Sequence, residues 1–139
     1  MSERDQRLTF VILWAFVLFN YIYGDIGMIF SVLIDPDMVA RIRRTVSGMG
    51  SVDLFFLVFA MVMEASFATL LLSWLAPLRI ARWANIITGI LFTLLMAVII
   101  FAGGVPPANY YTFFGLVEIA ATSYIAWRAW RWRAAVATG

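Results

Sequence analysis

The sequence predicts an all-α fold: a four-transmembrane-helix bundle with both termini cytoplasmic and a short amphipathic interfacial helix between the first and second spans. Three observations predict it. The chain of 139 residues is 64% hydrophobic and 13% charged, whereas soluble domains are nearer half apolar and a quarter charged. Its apolar residues fall into four runs, about 8–34, 54–75, 84–102 and 110–127, which approach or exceed the roughly 20 residues that cross a hydrocarbon core about 30 Å thick. Within each run the apolar residues are continuous rather than alternating, which selects helices over the strands of a closed barrel. Residues 1–139 then read as a single transmembrane domain.

The first run follows MSERDQR, which mixes two acids with two arginines. It is too long for the apolar core of a signal peptide and lacks a small-x-small cleavage site, so it is expected to stay as an anchor. Segment 35–50, DPDMVARIRRTVSGMG, places Asp35 as a cap and Pro36 at a first helical position. Met38, Ile42 and Val46 recur opposite Arg41 and Arg44, the pattern of a short helix lying on the outer membrane surface. A solvated, partly ordered loop is the alternative. Ser51 and Asp53 then supply an N-cap and a first-turn acid for the second span, a structural role.

Orientation follows from the basic residues. Arg4, Arg7, Arg79, Arg82, Arg128, Arg131 and Arg133 fall on one side of the four spans. Arg41, Arg43 and Arg44 fall on the other, partly offset by Asp35 and Asp37, and the loop 103–109 carries no charge. The positive-inside rule makes the arginine-rich side, with both termini, cytoplasmic. Trp74, Trp83, Trp127, Trp130 and Trp132 sit beside these arginines and read, with Arg128 and Arg131, as membrane-interface anchors. The basic, aromatic tail from Trp127 to Arg133 is better explained by lipid headgroups than by nucleic acid, which is not expected as a partner. The second and fourth spans share a central Glu followed by small residues and a terminal Trp, a weak sign of a duplicated hairpin.

Absences narrow the chemistry. The chain has no Cys and no His, which excludes thiol redox exchange, disulfides, Cys or His zinc sites, and haem held by His or Cys. All ten basic residues are Arg, so lysine Schiff-base chemistry is excluded as well. No cofactor, metal site or catalytic residue is assigned.

Polar residues inside the runs are the candidates for function. Asn20, Glu64, Thr93 and Glu118 lie roughly 12–18 Å of helix rise from the starts of their runs, near the midplane. Asp25 lies further toward the outer face, near Tyr110 and Tyr111. Helical spacing gives each span one small-and-polar stripe: Asn20, Gly24, Gly27 and Ser31; Ala60, Glu64 and Ala68; Asn85, Gly89 and Thr93; Tyr111, Gly115, Glu118 and Thr122. Small residues let helices approach in lipid, so these stripes are expected to face inward. Asp25 shares a face with Tyr21, turned from Asn20. An acid near the bilayer centre costs about 2.5–3.5 kcal/mol on insertion scales, and no basic residue lies inside any span. Glu64 and Glu118 are therefore either protonated or await a cation from outside: H⁺, a ligand amine, or an oxygen-preferring metal ion.

The runs Leu13-Trp14 to Phe19-Asn20-Tyr21-Ile22-Tyr23-Gly24-Asp25, Arg82-Trp83-Ala84-Asn85-Ile86-Ile87 with Gly89, and Tyr110-Tyr111-Thr112-Phe113-Phe114-Gly115 with Glu118-Ile119 resemble a family of small bacterial four-helix membrane proteins known only as a domain of unknown function. The resemblance covers nearly the whole chain. It implies the fold and a bacterial inner-membrane location and lends weight to Asn20, Asp25, Asn85, Tyr111 and Glu118, but it carries no activity.

Three functions compete. The first is a pocket lined by Asn20, Asp25, Glu64, Asn85, Thr93, Tyr110, Tyr111 and Glu118 that binds a proton, cation or cationic or amphipathic small molecule, with transport as its use. Four helices are few for a solitary transporter, so a homo-oligomer or larger complex is expected. The second is an accessory subunit of a larger membrane complex, with the acids as neutral interhelical glue. The third is a lipid-modifying enzyme using Glu64 and Glu118 as acid and base. No nucleophile elbow, phosphate loop or metal motif supports the third.

Overall fold

Capping chemistry sets the helix boundaries. The computed structural model describes residues 2–48, 51–102 and 109–132, and among them are five helices and no strand: α1 Glu3–Ile34, α2 Pro36–Gly48, α3 Val52–Leu75, α4 Leu78–Ala102 and α5 Asn109–Arg131. Ser2 and Asp5 form a reciprocal capping box, each side chain accepting the other's backbone N–H at 3.1 Å, so α1 begins at Glu3 rather than at the first apolar residue. It stops before Pro36, which disfavours a helical Asp35. The Asp35 carboxylate then accepts the Asp37 N–H at 2.9 Å and opens α2 as expected. Ser51 caps α3 by accepting the Leu54 N–H at 3.1 Å. Pro77 ends α3 and starts α4, leaving Ala76 and Pro77 as the whole connection; Arg79 and Arg82 thus belong to α4, which begins six residues ahead of the span expected at 84.

Three helices, Glu3–Ile34, Val52–Leu75 and Leu78–Phe101, are long and apolar enough to cross a membrane. Helix α5 is 23 residues long but more polar. In α2, Met38 and Ile42 are partly buried while Arg41 and Arg44 are exposed, so the segment is an amphipathic helix and not a loop. The side chain of Val46, the loop 103–108 and Arg133 lie outside the described residues.

The four long helices close a ring in the order α1, α3, α4, α5, each packed on the next and α5 back on α1. All neighbours are antiparallel. Arg7 of α1 donates to the carbonyls of Ser73 at 3.2 Å and Ala76 at 2.8 Å, satisfying the otherwise orphaned end of α3. Arg82 of α4 does the same for α5 through the carbonyls of Ala129 at 3.2 Å and Trp130 at 2.9 Å. At that end Phe10, Trp14, Val17, Ala81, Ile125, Ala129 and Trp132 form the buried core. Trp74, Trp83, Trp127 and Trp130 are exposed. Trp132 is not: it is 3% exposed and stacks on Phe10 at 5.0 Å between centroids, with the Arg7 guanidinium over its ring. The expectation of an interfacial Trp132 is corrected, because the residue just past the end of α5 packs inward on Phe10 of α1.

Hydrogen bonds tie the helices together across the middle. The buried Trp14 indole donates to Asn85 Oδ1 at 2.7 Å, and Asn85 Nδ2 donates to Ser73 Oγ at 2.7 Å and to the Ala81 carbonyl at 2.8 Å, joining α1, α3 and α4. Thr69 and Thr88 pair at 2.9 Å, and Thr93 and Thr122 at 2.8 Å. The α4–α5 seam is close at Gly89, where a Cβ would lie 2.9 Å from the Thr122 carbonyl oxygen. Helix α3 contributes a narrow inner face, Ser66, Thr69 and Ser73, and residues 56–61 of its first half are exposed.

Removing the Asn85 amide by Asn85→Ala strands the Trp14 N–H and is expected to lower unfolding stability in detergent by about 1–3 kcal/mol. Gly89→Val is expected to cost about 1–3 kcal/mol by forcing α4 from α5, read in the same denaturation assay.

Candidate functional site

Away from the tight core, α1 and α5 leave space between them. A cavity of about 20 Å³ is lined by Tyr21, Gly24 and Asp25 from α1, Met96 from α4, and Tyr111, Phe114, Gly115 and Glu118 from α5. That volume suits one water-sized occupant. Helical spacing explains the lining: Tyr21 and Asp25 are four residues apart, as are Tyr111 and Gly115, with Glu118 one turn on. Gly24 is buried, yet a Cβ there would meet nothing within 4 Å, so the missing side chain is part of the open space.

Glu118 is 3% exposed, and its Oε2 is one of two buried side-chain polar atoms with no hydrogen-bond partner among the described residues. The other is Ser66 Oγ. The lining holds two carboxyls and two phenols and no basic group. Among the described residues no cluster of three or more acids could hold a metal ion.

Three of the eight residues expected to share a pocket do so: Asp25, Tyr111 and Glu118. Asn20 is buried but turns its amide back to the Phe16 carbonyl at 2.9 Å. Asn85 and Thr93 are engaged in the interhelical bonds above. Tyr110 lies outside the cavity, with its hydroxyl 2.9 Å from Ser31 Oγ and its ring against Gly27, where a Cβ would come within 2.7 Å. Glu64 does not join Glu118. It is exposed, as are Ala60 and Ala68, so the inward stripe expected for α3 is corrected. The face actually buried is that of Ser66, Thr69 and Ser73, about 200° around the helix. Two of these hydroxyls suit the interior because they bond their own helix, Thr69 to the Ala65 carbonyl and Ser73 to the Thr69 carbonyl, whereas Ser66 Oγ finds no partner among the described residues.

Residues not singled out as ligands complete the lining: Tyr21, Gly24, Met96, Phe114 and Gly115. The position of Tyr21 one turn before Asp25 was the available signal; nothing in the sequence marked Met96 or Phe114 among the other apolar residues.

Because Gly24 fronts open space, Gly24→Ala is expected to raise stability by about 0.5–1 kcal/mol through helix propensity while shrinking the cavity. Equilibrium unfolding of the variant checks the first effect and its structure the second.

No curated protein and no solved structure matches the chain. A family of unknown function, DUF6326, matches residues 1–138. Since that match leaves out only the last residue, the chain belongs to the DUF6326 family.

Proposed function

We propose that this chain is a small integral membrane protein whose α1–α5 cavity binds a proton or a water-sized cation between Asp25 and Glu118. The observation that carries the reading is Glu118 Oε2, buried beside an open cavity with no hydrogen-bond partner among the described residues. A carboxyl so placed is costly unless it is neutral or receives a cation. The lining offers no guanidinium to serve.

In this reading α1, α3, α4 and α5 all span the bilayer. Support for α5 comes from its antiparallel course along α1, from Tyr110 beside Ser31 to Trp132 beside Phe10. Helix α2 lies on the outer surface, and the end bearing Arg7, Arg82, Arg128 and Arg131 is cytoplasmic. A proton or small cation fits a cavity of about 20 Å³; an amphipathic molecule does not, since pockets for such ligands run to about 300–1,000 Å³. Transport would use Asp25, which is partly exposed, as the entrance to Glu118. The enzyme reading loses its acid–base pair, because Glu64 lies outside the ring.

A second reading, an accessory membrane subunit with neutral polar glue, is favoured by one set of observations: Asn85, Thr69 and Thr93 already serve as interhelical bonds. It leaves the unbonded oxygen of Glu118 without a use.

Infrared difference spectra of the protein in lipid, recorded between acid and alkaline buffer and with alkali cations, test the choice. Glu118→Gln is expected to remove one carboxyl band and Asp25→Asn to shift the band that remains. Spectra from the Glu118→Gln protein that match wild type under every condition would overturn the proposal.

A further inference from the structure

The feature left unexplained by that site is Glu64. It stands midway along α3, the exposed wall of the ring, and among the described residues no hydrogen bond or ion pair reaches it. One turn away on either side along the same face are Ala60 and Ala68, both exposed, and next to them Met61 and Phe67 are 64% and 47% exposed. In a spanning helix this places a carboxyl in hydrocarbon, where it is costly to leave without a partner.

We infer that a second copy of this chain covers this face, with α3 packed on the partner's α3 and the Glu64 carboxyl hydrogen-bonded to the partner's Glu64. Three features select a second copy over an unrelated membrane protein. Copies inserted with the same orientation hold Glu64 at the same depth, so a twofold axis normal to the membrane brings the two carboxyls face to face without any further adjustment. A protonated carboxyl carries one donor and one acceptor and is therefore complementary to itself. Ala60 and Ala68 bracket it with small side chains, which let two helix backbones approach closely in lipid. The inference rests on the membrane-spanning half of the proposed function and not on the Asp25–Glu118 cavity, from which the α3 face points away.

Energy transfer between donor- and acceptor-labelled copies in vesicles, at falling protein-to-lipid ratio, measures the dimer. Cysteine cross-linking locates it, since the chain has no native thiol. Ala68→Cys is expected to cross-link and Ile87→Cys, exposed on α4, is not. Glu64→Gln keeps one donor and one acceptor and is expected to dimerise as wild type does. Glu64→Leu, which has neither, is expected to weaken the dimer about tenfold, the scale of two interhelical hydrogen bonds. A monomer at every ratio, cross-linking through Ile87→Cys instead, or a Glu64→Leu dimer as tight as wild type would each overturn the inference. Extraction of the vesicles with alkaline carbonate separates the two claims: release of the chain refutes the spanning reading, whereas a retained but monomeric chain refutes the dimer alone.

Discussion

An amide or hydroxyl buried among apolar helices has no water to bond, so it must find a protein partner or weaken the fold. The bundle is organised by that demand. Asn85 meets it by joining the Trp14 indole, Ser73 and the Ala81 carbonyl, and in doing so fixes the relative rotation of three helices. The threonine pairs extend the same solution along the α3–α4 and α4–α5 seams. Because the bonds need particular hydroxyls at particular depths, they specify register in a way that apolar packing alone does not.

Against this background Glu118 is an exception, shared among the described residues with the Ser66 hydroxyl. Its helix is held close on one side by Gly89 and Thr122, while on the side toward α1 the absence of a side chain at Gly24 keeps a small space open. The same helix pair is closed at the arginine-rich end by Phe10 and Trp132 and held at the other by Tyr110 lying on Gly27. The space is thus local, a gap in an otherwise bonded and packed interface.

Much of the secondary structure was legible because its signals are local. Ser51, Asp35 and Pro36 act within a turn of where they stand, and four long apolar runs leave little choice of element. The α5 stripe of Tyr111, Gly115 and Glu118 was also readable, since all three line one cavity. The α3 stripe was not. Glu64 with Ala60 and Ala68, and Ser66 with Thr69 and Ser73, are equally good small-and-polar faces by spacing. What separates them is the position of Asn85 across the seam, a property of α4.

By itself the sequence determined that the chain is helical, which apolar runs form its long helices, and which chemistries lie beyond its residues, because composition and missing side-chain types do not depend on neighbours distant in the chain. Tertiary structure alone decided which polar groups are satisfied and which are not. Asn20 bonds its own helix, Asn85 spans three, Glu64 faces outward and Glu118 inward. The reason is geometric: a helix offers every side chain some direction, and only the packing of the other helices decides whether that direction holds a partner, a cavity or the surroundings.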